Sequence, residues 1–174
     1  MLLTKKYGTF AVVACTILLA ASCGGSVKAK KELIYSFKLE KTASIIAGQA
    51  HACSSQLRSY WAIWEYAKVS EMDFETAARE MGGGHRQQNL SMMRSNKAEI
   101  DRLLSDLASP EEEYIPAFNK LKELHAAYVK IHDQALKPSG DWENLEKRIR
   151  DLENGVNKRL SEFQTELAAL NSER

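Results

Sequence analysis

The chain has 174 residues, with 24 basic and 23 acidic side chains and a formal charge of +1. That length suits one domain with one core, and the near-balance of charge excludes the basic footprint of a nucleic-acid-binding protein. Nine glycines and three prolines against 44% apolar residues exclude a disordered chain or a loop-rich β fold.

The N-terminus comes first. Lys5 and Lys6 are the only charges before Cys23, and an uncharged apolar run from Phe10 to Ala21 follows them. Ala20, Ala21 and Ser22 are small, and Cys23 comes next. This is the layout of a secretory signal over residues 1–22. The run is too short to span a bilayer, which takes roughly 20 apolar residues. Read from these features alone, the segment is an ordinary signal peptide. Ala20-Ala21-Ser22-Cys23 also resembles the lipobox of bacterial lipoprotein precursors. The family usually has Leu three residues before the Cys. Here that position is Ala20, and Leu19 stands one earlier.

The resemblance covers residues 1–23 and implies that Cys23 is joined to a diacylglycerol and becomes the first residue after cleavage. It implies an extracytoplasmic protein held to a bacterial membrane by its acyl chains. Residues 23–31, with Gly24-Gly25-Ser26, would then be a flexible tether, and residues 32–174 the helical domain. Cys15 lies inside the signal, which leaves Cys53. Exported chains usually pair their thiols. Cys53 stands roughly 33 Å beyond Lys31 along a helix, whereas an eight-residue tether reaches about 28 Å. Cys53 is therefore expected as a small buried apolar residue.

The first helix is expected over about Glu32 to Val69. Leu39, Ala43, Ile46, Ala50, Cys53, Leu57, Tyr60, Trp64 and Ala67 recur alternately every four and three places, the mark of an amphipathic helix. A short helix over Asp73 to Met81, capped by Ser70 or Asp73, precedes Gly82-Gly83-Gly84, which ends it. The next helix runs from about Leu90 to Leu107 on Met93, Ile100, Leu104 and Leu107, with Lys97 at the missing stripe position. Ser109, Pro110 and Glu112 read as a capping box opening a third long helix, with Pro116 kinking its first turns. Its stripe is Ala117, Leu121, Leu124, Tyr128, Ile131 and Ala135. Lys137 to Gly140 is a turn by composition. Asp141 or Ser139 caps a last helix with the stripe Trp142, Leu145, Ile149, Leu152, Val156, Leu160, Phe163, Leu167 and Leu170. The four-residue step from Val156 to Leu160 is a stutter.

Long one-sided helices with short turns predict an all-α, elongated antiparallel four-helix bundle. A short helix and a Gly-rich loop are inserted after its first helix. The segment from Ser109 through Leu136-Lys137-Pro138-Ser139-Gly140 is also similar to small helical lipoproteins of uncharacterised role in Gram-positive bacteria. That likeness implies no activity.

Candidate chemistry is sparse. No His has Glu three residues before it, which the di-iron carboxylate pattern needs, and no two His are four apart as in zinc proteases. His125 and His132 share a helix face, but seven residues is about 10.5 Å of rise, too far for one ion unless His51 faces them. No Cys-x-x-Cys-His haem motif occurs, so no cofactor and no metal is expected. Ser54 and Ser55 near His51 lack a third partner for catalysis, and Glu111-Glu112-Glu113 suits a helix start. No catalytic residue is assigned. The aromatic cluster is the most suggestive feature. Tyr60, Trp61 and Trp64, with Arg58, Phe74 and His85, are the candidate lining of a small-ligand pocket, with Gly82 to Gly84 as a lid hinge. The competing reading makes them the broad end of the core, closed over Trp61 by Phe74, Ala77, Ala78 and Met81. The expected role is a non-enzymatic binding or accessory module at the cell envelope. Its partners are the membrane, through Cys23, and a protein met at exposed positions such as Ile63 and Val69. The alternative is a small-ligand sensor or carrier using the aromatic end.

Overall fold

The structure is a computed structural model describing residues 27–81, 86–139 and 141–172. The signal, the tether from Cys23 to Ser26, and the Gly82–Gly84 loop with His85 lie outside the described residues. By contacts the chain forms one unit ending at Leu33 and a second from Ile34 to Arg174. The described part of the first unit is the start of a helix. In the second, all-helical unit, five α-helices pack together, and the described residues contain no strand.

Helix α1 spans Val27–Val69, α2 Phe74–Glu80, α3 Arg86–Asp106, α4 Ile115–Leu136 and α5 Leu145–Ser172. No described helix is long and apolar enough to cross a membrane. Helix α1 begins inside the stretch read as tether, and no proline interrupts it as far as Val69. Its stripe is buried from Leu39 to Tyr60 and again at Ala67, with Trp64 partly covered. Cys53 is 1% exposed and free. Burial pushes its thiol up to about 12, so it stays protonated and packs as an apolar side chain.

Helix α1 ends in a left-handed residue. Glu71 has φ 53°, Met72 N–H donates to Ala67 O at 3.0 Å, and Ser70 N–H donates to Tyr66 O at 2.9 Å. This is the hydrogen-bond pattern that closes many helices, with Glu where glycine is usual. Asp73 caps α2: its carboxylate accepts from Thr76 N–H at 2.9 Å and from the Thr76 hydroxyl at 2.7 Å.

Two starts differ from expectation. Ser109 and Pro110 precede the third long helix without capping it. A 3₁₀ turn, Glu112–Tyr114, leads into α4, whose first turn contains Pro116. Proline has no N–H to give, and the first turn has no carbonyl waiting for one, so Pro116 sets the helix start and does not kink the helix. Trp142 lies in the turn before α5. There Asp141 accepts from Glu143 N–H at 2.9 Å and from the Asn144 side chain, and Leu145 begins the helix.

The stripes of α3, α4 and α5 meet that of α1 in one main core. Its largest fully buried side chains include Tyr60, Tyr114, Tyr128 and Phe163. Burying each large apolar side chain contributes about 1.5–3 kcal/mol. Between helices, polar pairs register the packing. On α1 and α3, Gln49 accepts from Asn96 at 2.8 Å and Gln56 from Asn89 at 3.2 Å. Arg58 of α1 pairs with Glu153 of α5 at 2.8 Å. Arg159 of α5 reaches Glu123 of α4 at 2.9 Å. Ile63 is covered, contrary to expectation. It packs with Ala67 against Ala77 and Ala78 of α2 in a small satellite cluster. Met81, expected to help close α2 over Trp61, is 47% exposed.

Candidate functional site

Two places gather the side chains that sequence reasoning singled out. The first is the C-terminal end of α1. Tyr60 is buried, and its ring lies 6.5 Å from that of Phe74. Phe74 lies 5.7 Å from Trp142, and Trp142 stacks on Trp64 at 6.4 Å with the planes 11° apart. The four rings thus form a chain running from α1 through the start of α2 to the turn before α5. Cations sit on its faces: Arg86 over Tyr60 at 5.2 Å and over Phe74 at 5.7 Å, and Lys68 over Trp64 at 5.0 Å. Such contacts stabilise by about 0.5–2 kcal/mol each. Tyr66 on the outer face donates to Glu80 at 2.9 Å, tying α2 to α1.

Of the expected set, Tyr60, Trp64 and Phe74 come together here. Trp61 is partly buried against the main core. Arg58 is not among the rings, because its guanidinium is held by Glu153. His85 lies outside the described residues. Trp142 and Arg86 complete the cluster, and sequence reasoning missed both. Trp142 read as one more stripe position, and Arg86 fell between Gly82 to Gly84 and the helix expected from about Leu90.

The second place is a groove of about 310 Å³ between α1 and α5, floored in part by Ile131 of α4. His51, Ser54, Glu153, Asn154 and Asn157 line it. Ser54 is buried, and its hydroxyl donates back to Ala50 O at 3.2 Å. Arg58 fixes Glu153 at the rim. Two amides, an imidazole and a carboxylate around a partly open hollow can hydrogen-bond a small polar molecule.

The remaining histidines go elsewhere. His125 Nε2 lies 2.9 Å from Asp101 Oδ1 on α3, and Lys97 donates to the other oxygen of that carboxylate at 2.7 Å. Lys97, at the gap in the α3 stripe, is thereby matched by an acid one turn on. Burial holds His125 below its ordinary value, and Asp101 opposes that shift only in part. His132 is 2% exposed, with Nδ1 3.1 Å from its neighbour Asp133. Among the described residues, His51, His125 and His132 do not converge on one position. No family model, curated protein or solved structure matches this chain.

Proposed function

We propose that the protein is an exported lipoprotein, held to a bacterial membrane by acyl chains on Cys23. It presents a helical binding or accessory module outside the cytosol and has no catalytic role. The observation that carries this reading is the N-terminal order itself: Lys5 and Lys6, the apolar run to Ala21, then Ala20-Ala21-Ser22-Cys23. Two acyl chains anchor stably, since each buried methylene contributes about 0.8 kcal/mol.

The module is proposed to be an antiparallel bundle of α1, α3, α4 and α5, with α2 as the insertion. Paired side chains support this order. As numbers rise on α1 from Gln49 to Gln56, their partners on α3 fall from Asn96 to Asn89. Likewise, Ser36 and Arg58 of α1 meet Asn171 and Glu153 of α5.

A second reading, a carrier of a small ligand, is favoured by the groove at His51. The aromatic end is a weaker place for it, because its rings pack on one another. Mass spectrometry of the protein extracted from membranes tests the main reading. The expected result is a mature chain starting at Cys23 with added acyl mass, and an uncleaved, unacylated Cys23→Ala variant. A mature protein of unmodified mass released into the medium would end it. The second reading is tested by thermal shift against small polar metabolites: a stabilisation lost in Asn157→Ala supports it.

A further inference from the structure

We propose that the end of the helical unit carrying Ile34, Phe37 and Ile115 docks on the lipid surface, as a second contact beside the anchor. This inference rests on the lipid-anchor reading of Cys23. Ile34 is 55% exposed, Phe37 50% and Ile115 43%. Ile34 and Phe37 stand one turn apart on the face of α1 that also carries the exposed Lys38 and Lys41. Ile115 opens α4 at the same end of the unit. Tyr35, next to Ile34, lies 4.9 Å ring to ring from Tyr114, next to Ile115, and donates to Leu107 O at 2.7 Å. Three large apolar side chains therefore face water at one end, where a soluble module gains nothing by showing them.

Chain geometry names the occupant. Ile34 follows Cys23 by eleven residues. Eleven residues reach at most about 40 Å, and the helical part from Val27 shortens that, so an acylated Cys23 keeps Ile34 close to the bilayer at high effective concentration. The sequence between the anchor and Ile34 carries Lys28, Lys30 and Lys31 against one acid, Glu32, and lipid phosphates attract such a basic stretch. Glu111, Glu112 and Glu113 at the same end oppose an anionic surface, so the contact is made mainly by the apolar side chains entering the headgroup layer.

The test uses the full, acylated chain in vesicles of equal parts phosphatidylcholine and phosphatidylglycerol. An environment-sensitive fluorophore is placed at Ile34→Cys, at Ile115→Cys and, as the distant control, at the exposed Val69→Cys. Docking predicts a blue shift and several-fold stronger quenching by nitroxide-labelled lipid at positions 34 and 115 than at 69. Phe37→Asp should reduce the shift at 34 while the chain still floats with the vesicles. Flotation with probes at 34 and 115 that report water would overturn docking and leave the anchor standing. Failure of the wild-type chain to float would overturn both. A blue shift at 34 that forms without vesicles would reveal a second copy of the chain as the occupant, and would also overturn the proposal.

Discussion

The two ends of α1 treat their aromatic residues in opposite ways. Near Val69, Tyr60 and Trp64 turn toward Phe74 and Trp142, and Arg86 and Lys68 cap the exposed faces of the rings. Near Ile34, Phe37 points outward and half of its surface meets water. One helix with one amphipathic rhythm thus supplies an end closed by packed rings, with Tyr66 and Val69 at its outer edge, and an open one. The difference comes from what surrounds each end. Helix α2 and the turn before α5 bring rings to the first. At the second, among the described residues, Tyr35 alone finds an aromatic partner, in Tyr114. Apolar character alone does not decide burial; the presence of a partner does.

The sharpest way to break this contrast is to truncate one aromatic at each end. Tyr60→Ala removes a ring that is 1% exposed and leaves a cavity, so urea unfolding should show a loss of about 3–5 kcal/mol. Phe37→Ala removes a half-exposed ring and should change stability by no more than about 0.5 kcal/mol in the protein free of membrane. Equal losses would mean that the Ile34 end is as tightly packed as the other. A smaller effect is expected for Arg86→Leu. The guanidinium lies over Tyr60 and Phe74 and pairs with Glu75 at 3.3 Å, a largely exposed contact of little worth. Its removal should cost about 1 kcal/mol, nearly all from the ring contacts. Glu75→Gln should therefore be close to neutral in the same assay.

Between the ends, His125 provides a test with a sign. Its folded value is held below the ordinary one, chiefly by burial. In the range just below about 6.5 the unfolded chain therefore binds more protons than the folded one. Stability is full above the unfolded value and falls as pH drops through the folded one. Asp101 is also held low, despite its desolvation, by Lys97 and His125. It titrates below the histidine range and does not mask the effect. Thermal melts from pH 7 to pH 5 should show a decline that His125→Gln reduces. An unchanged pH slope in the variant would remove His125 from the account.

Much of this architecture was legible in advance, for a definite reason. A helix returns to the same face every three to four residues, so Leu39 to Ala67 and Leu145 to Leu167 announce their buried sides whatever they pack against. The choice of partner has no such local signature. Trp142 has the spacing of a stripe residue, yet it leaves the helix because Asp141 closes a turn on the N–H of Glu143. Ile63 lies off the stripe and is still buried, because α2 folds back over it. Arg58 and Arg86 look alike in sequence, and only the arrangement of helices sends one to Glu153 and the other to the rings. The groove at His51 was hidden for the same reason: its walls are separated by about a hundred positions in sequence.

The smallest expected effects come from two opposite substitutions that should change stability in the same direction. Glu71, at the closed end, has φ 53°. A side chain in that conformation costs roughly 1 kcal/mol, which glycine avoids. Glu71→Gly should therefore stabilise the protein even though it adds a flexible residue. Gly155 sits inside α5, where a Cβ would meet nothing within 4 Å. Glycine there loses more backbone entropy than alanine does, so Gly155→Ala should stabilise by up to about 1 kcal/mol. Both gains are read as a rise of a few degrees in melting temperature for a chain of this size. If Gly155→Ala destabilised instead, the stutter between Val156 and Leu160 would need a local departure from helical geometry that alanine resists. If Glu71→Gly did so, Glu71 would be making a contact at the closed end that outweighs its backbone cost, and that end would owe part of its closure to the turn.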